Sequence, residues 1–143
     1  MNAEKYLSLV SPDDVETQIL DWGQFQWLNE PRVTGVDKMI VGIGRIKPGK
    51  GHTRHNHPES EEFIYFMEGR AMQSIERPDG RQEREMGPGE LISIPQGAYH
   101  STINIGDTDL VFMCCYLNAG SELAIRKDAI EIIPPKNNWK DEA

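Results

Sequence analysis

From residue 39 onward the chain is a succession of short β-rich runs separated by Gly and Pro, and this constrains its fold more than any other feature. The runs are 39–46, 53–57, 62–67, 71–76, 82–86, 91–94, 99–105 and 110–117. Branched and aromatic residues favour a pleated strand, and the Gly and Pro clusters end each run. Arg77-Pro78-Asp79-Gly80 is a hairpin turn between two of them. Its proline pre-sets φ and its glycine accepts a positive φ. Eight short strands at such close spacing predict an all-β sandwich or jelly-roll barrel. Run 110–117 is apolar at both parities, so both of its faces should be covered. One face would line the barrel, and the other would meet a second sheet or a partner subunit.

The flanks read differently. Residues 1–38 form an irregular N-terminal arm with some helical character, including a turn near 12–16. Trp22, Phe25, Trp27 and Leu28 make an aromatic cluster, expected on the barrel exterior, at a dimer contact or as a lid over the mouth. Residues 118–143 form a C-terminal segment: an apolar stretch at 123–133, then Pro134-Pro135 and a polar end expected to be mobile. With 143 residues in all, 1–143 is read as one domain with its barrel core at 39–117.

The net charge of −8 speaks against a nucleic-acid binder, which needs a basic face. Met1 to Val10 lacks the apolar centre of a signal peptide. No stretch approaches the roughly 20 apolar residues of a membrane span. Cys114 and Cys115 are adjacent, so in a strand they face opposite ways and make a poor disulfide. A reducing, cytoplasmic setting follows as the expectation.

The four histidines are not scattered: three lie at 52, 55 and 57 and the fourth at 100. In a strand, His55 and His57 would share one face. Glu62 and His100 each open another β-rich run. Three imidazoles and a carboxylate converging inside a barrel would hold one divalent Fe, Mn, Ni, Zn or Cu ion.

Two segments here resemble the two motifs of the cupin family. In the first, Gly49 is followed by His55-Asn56-His57, then Glu62 and Gly69. In the second, Gly89 is followed by Pro95-Gln96-Gly97, then His100 and Asn104. The resemblance implies a double-stranded β-helix, the jelly-roll cupin barrel, as a homodimer with a metal on His55, His57, Glu62 and His100. For the carboxylate, Glu62 and Glu61 compete. Glu62 keeps the motif's interval to Gly69 and places Ile64 and Phe66 on the inward face. Glu59 reads as a solvated loop charge.

Further candidates surround this set. Glu61, His52 and Tyr99 are candidate proton carriers, with an exposed loop histidine as the plainer reading of His52. Arg45, Lys47, Lys50 and Arg54 form a basic run in an acidic chain. Arg45 and Arg54 could clamp a substrate carboxylate or phosphate, or the run could be a solvated face. Asn104 shares the parity of His100 and reads as structural or as a support behind the ligands. Three functions fit a cupin with this ligand set. One is Lewis-acid isomerase, epimerase or lyase chemistry on a small oxygenated substrate, such as a sugar, sugar acid or hydroxy/keto acid. The others are an Fe(II) dioxygenase and a non-catalytic small-ligand sensor.

Overall fold

A computed structural model describes residues 5–141. Residues 1–4 of the arm and 142–143 of the tail lie outside the described residues. A single 3₁₀ turn at Pro12–Asp14 is capped by the Ser11 side chain. Eleven strands follow: β1 (Thr17–Ile19), β2 (Gly23–Asn29), β3 (Met39–Ile46), β4 (Gly51–His55), β5 (Glu62–Glu68), β6 (Ala71–Arg77), β7 (Gly80–Met86), β8 (Leu91–Ile94), β9 (His100–Asn104), β10 (Leu110–Leu117) and β11 (Glu131–Ile133). One helix, α1 (Ser121–Lys127), precedes β11.

The strands form two antiparallel sheets. The seven-stranded sheet runs β11-β1-β2-β3-β10-β5-β8, and the four-stranded sheet runs β4-β9-β6-β7. Their inner faces share one core, to which Phe25, Trp27, Phe66, Phe112 and Tyr116 of the large sheet and Ala71, Ile75 and Met86 of the small one contribute. This is the expected all-β jelly roll.

The irregular arm expected at 1–38 is in large part sheet. Strand β2 alternates buried Gly23, Phe25 and Trp27 with half-buried Gln24 and Gln26. That period of two marks a strand with one face on the core. The exterior or lid placement expected for the aromatic cluster therefore does not hold for Phe25 and Trp27, which are 3% and 2% exposed. Their rings fit because β3 carries Gly42 and Gly44 opposite them: a Cβ at Gly42 would collide with the Trp27 ring, and one at Gly44 with Phe112. The tail is likewise tied down rather than loose. β11 pairs with β1. Beyond it, Asn137 Nδ2 donates to Asp14 Oδ1 and Trp139 Nε1 to the Asp14 carbonyl, both at 2.8 Å.

Strand β10 lies between β3 and β5 in the large sheet. Phe112, Cys114 and Tyr116 face the core. Val111 and Cys115 on the other face are also buried, which accounts for the apolar residues at both parities. The Arg77–Gly80 hairpin joins β6 and β7 as the turn signal predicts, with the two residues paired in register.

Candidate metal centre

The ligand side chains come from four places. His55 ends β4, Glu62 opens β5 and His100 opens β9. His57 is not on a strand at all: β4 stops at His55, and His57 reaches the cluster from the following loop. The loop is held to the β8–β9 connection. Gly97 N–H donates to the His57 carbonyl at 3.0 Å, and Asn56 Nδ2 returns a bond to the Gly97 carbonyl at 3.2 Å. Gly97 has φ of 78°, a conformation that a residue with a side chain adopts only under strain. Strand parity is thus not what brings His57 to His55.

One ligand atom from each of His55, His57 and His100 lies within 4.8 Å of the others. Glu62 Oε1 is 3.3 Å from His57 Nε2 and 3.1 Å from His100 Nε2. His100 Nδ1 donates to the Ala98 carbonyl at 2.9 Å, and His55 Nδ1 to the Thr53 carbonyl at 2.6 Å. A carbonyl only accepts, so Nδ1 carries the proton in both rings and Nε2 keeps its lone pair. His57 Nε2, His100 Nε2 and Glu62 Oε1 are buried, and none has a hydrogen-bond partner. Buried polar atoms are rarely left so. Ligands about 2.1 Å from a common ion at right angles lie about 3 Å apart, which matches the spacing of Glu62 from the two imidazoles. Three histidines and a carboxylate also suit a first-row divalent ion. The residues present therefore fit a metal.

Electrostatics agree with the ligand roles. Burial alone would raise the Glu62 pKa, but contact with His100 and His57 outweighs it and holds the carboxyl to about 2. Burial, helped by neighbouring imidazoles, lowers His55 to about 3. Burial likewise lowers His52 to about 4. Both rings are neutral near pH 7 and free to act as bases or ligands.

His52 has a closer relation to the cluster than its sequence position suggests. His52 pairs with Thr102 and His55 with His100, so three steps along β4 match two along β9. The extra residue is a β-bulge. Without it, His52 and His55 would face opposite ways. With it, their rings stack 3.5 Å apart at 17°. The outer face of His52 stacks on Trp22 at 4.7 Å.

Tyr116 was not singled out by the sequence reading. Its ring lies 4.7 Å from that of His57. Burial, with the Glu62 carboxylate and Cys114 nearby, pushes its pKa well above the usual phenol value. The available signal was parity: Tyr116 shares a face with Phe112 and Cys114 on β10 and pairs in register with Glu62.

The remaining candidates are not brought to the cluster. Glu61 is exposed, and with Phe63, Cys115, Leu117 and its neighbour Glu62 it lines a groove of about 450 Å³ at the end of β5. Tyr99 is exposed beneath Arg54, whose guanidinium lies 3.8 Å above its ring. Arg54 is also bonded to Glu76 at 2.7 Å, on the outer side of the small sheet. Arg45 is exposed at the far end of β3 beside Lys47 and Asp109. Lys47 and Lys50 are exposed too, so the basic run does not line the interior. Asn104 is buried and acts on backbone alone: it donates to the Ile46 and Thr108 carbonyls and accepts from Gly106 N–H. It sits about 13 Å along β9 from His100, too far to support a ligand.

Comparison with known proteins agrees with this geometry. The cupin-domain family model matches residues 42–116. The chain belongs to the cupin family. Among cupins and their relatives, it is 31% identical over 111 residues to Protein SchB of Streptomyces halstedii, covering 76% of this chain and 78% of that protein. It is 28% identical over 105 residues to a glucose-6-phosphate isomerase of Thermococcus kodakarensis, covering 64% of this chain and 55% of that one. The oxalate decarboxylase of Lactobacillus farciminis, solved as a formate complex, superposes with a TM-score of 0.68 at 26% identity. That match covers 74% of this chain but 32% of the decarboxylase. No helix among the described residues is long and apolar enough to cross a membrane.

Proposed function

We propose that this cupin is a metal-dependent enzyme holding one divalent ion on His55, His57, His100 and Glu62. The observation that carries this reading is the set of buried ligand atoms with no partner: His57 Nε2, His100 Nε2 and Glu62 Oε1. The reaction class is isomerisation, epimerisation or elimination on a small oxygenated substrate. When bound, the ion would supply Lewis acidity, polarising a substrate carbonyl or hydroxyl. The chain supplies the rest. Carbonyls of Thr53 and Ala98 fix the ring orientation of His55 and His100. The Tyr116 ring packs 4.7 Å from that of His57, and Tyr116 is the register partner of Glu62 across β10 and β5. The neutral His52 ring, stacked on His55, is the candidate to accept a substrate proton, whereas Glu61 and Tyr99 are exposed. Kinship with a sugar-phosphate isomerase supports carbonyl chemistry.

The test is incubation of the metal-loaded protein in D₂O with sugars, sugar acids and hydroxy/keto acids, followed by NMR. Deuterium entering next to a carbonyl, abolished by chelation and by His57→Ala, is the expected result. Turnover that consumes O₂ would replace this reading with a dioxygenase, and tight binding without turnover would replace it with a sensor.

The same proposal includes a homodimer. Met39, Tyr65, Met67, Leu91 and Leu117 are exposed on the strands of the large sheet. A paired second copy would cover them. Sedimentation equilibrium reads the outcome, and a monomer at micromolar concentration would refute it.

A further inference from the structure

We propose that Trp22 and His52 are positioning residues of the metal centre, whose stacked rings clamp the His55 imidazole across the seam between the two sheets. This rests on the metal reading above and deepens it. His57, His100 and Glu62 are buried, whereas His55 is half-buried. Strands β9 and β5, which carry His100 and Glu62, are each paired on both sides. His57 is tied by its carbonyl to Gly97 of another segment. His55 has neither kind of support. Its strand β4 is an edge of the four-stranded sheet, with β9 as its single neighbour, and a bulge between His52 and His55 interrupts that pairing. Its Nδ1 bond goes to Thr53, two residues back on the same strand, so this bond orients the ring but moves with the strand.

What backs the His55 ring comes from the opposite sheet. It stacks on His52 at 3.5 Å and 17°, and His52 stacks on Trp22 at 4.7 Å and 18°. Trp22 immediately precedes β2 of the seven-stranded sheet. Its carbonyl accepts from Lys47 N–H at 3.2 Å, and its indole meets the buried Phe25 ring edge-on, with centroids 5.8 Å apart. Phe25, Trp22, His52 and His55 thus form a line of ring contacts from the core of one sheet to the free edge of the other. Aromatic pairs attract beyond their buried area and favour particular orientations. A ring held in place before the ion arrives leaves less ordering cost for binding. This role asks for a flat ring at 52, not for a ring nitrogen, so it is separable from the proton transfer proposed above.

Competitive chelator titration of Co(II) and the Co(II) visible spectrum test the proposal. His52→Ala and Trp22→Ala should each weaken Co(II) binding by about tenfold, the low end for a ligand that loses its support. Their spectra should depart from that of the unaltered protein. His52→Phe and Trp22→Phe keep a ring and should bind within about twofold of the unaltered protein, with its spectrum. Urea melts of the metal-free variants check folding. Where an alanine variant does not fold, leucine at that position, which fills space without a flat ring, takes its place. Alanine or leucine variants that bind as tightly as the unaltered protein, or phenylalanine variants that bind as weakly as the alanine ones, would overturn the inference. Unaltered protein that fails to retain Co(II) would overturn the metal reading instead, which tells the two failures apart.

Discussion

The histidine cluster and the Glu16 cluster are both built from buried or half-buried titratable groups, yet their polar atoms have opposite fates. Around Glu16, Arg126 Nε donates at 2.8 Å and Gln18 Nε2 at 2.9 Å. Arg32 bridges Glu16 to Glu30, 3.1 Å from the latter. Glu16 immediately precedes β1, Gln18 lies on β1, Arg126 on α1, and Glu30 and Arg32 follow β2, so the ion pairs tie the N-terminal hairpin to the C-terminal helix. Around Glu62, by contrast, the buried Nε2 atoms of His57 and His100 and Oε1 of Glu62 approach one another closely, and none of the three has a hydrogen-bond partner. A satisfied network stabilises a fold, whereas an unsatisfied one costs stability until something fills it. That contrast separates scaffold from site without reference to any relative.

The strongest way to sharpen it is a pair of adjacent carboxylates. Glu62→Gln should weaken metal binding by about 10- to 100-fold, the range for disturbed coordination. Glu61→Gln, on the groove at the end of β5, should leave it unchanged within about twofold, the expectation for an exposed group away from the ligands. Competitive chelator titration measures both, and equal effects would erase the inside–outside distinction. Glu16→Ala should do the reverse, costing about 2 kcal/mol in urea unfolding with metal content unchanged.

Acid offers a subtler comparison. His52 and His55 have pKa values lowered from 6.5 to about 4 and about 3 in the folded chain. The unfolded chain therefore binds more protons in that interval, and the metal-free protein should lose stability as pH falls below about 6.5. Glu16, lowered from 4.5 to about 2, adds its loss only below about 4.5. Urea melts of metal-free protein should show the upper slope flattened in His55→Gln and the lower slope flattened in Glu16→Gln. A single slope unaffected by either variant would contradict the assignment.

Much of this was legible in the sequence because punctuation and motif spacing are local signals. Strands 39–46, 91–94 and 110–117 have the bounds read from the residues. The hairpin at Pro78-Asp79 follows from turn chemistry alone. β2 was missed because Gln24 and Gln26 flank large aromatics, and the cluster looked like surface until Gly42 and Gly44 supplied the space. At the site, the inward face of Glu62 follows from parity. The place of His52 does not, because a bulge inverts parity and no local residue pattern announces it. Arg54 shows the converse limit: its position beside a ligand strand suggested a clamp, but Glu76 and Tyr99 come to it from distant segments.

The central claim is that His55 and the unpaired atoms of His57, His100 and Glu62 hold a metal. Elemental analysis of protein purified without added metal, beside the His55→Ala/His57→Ala/His100→Ala variant, tests it most directly. The account predicts about one divalent ion per chain in the unaltered protein and a trace in the variant. Equal metal content in the two, or none in the unaltered protein even after equilibration with Fe(II), Mn(II), Ni(II), Zn(II) and Cu(II), would contradict it.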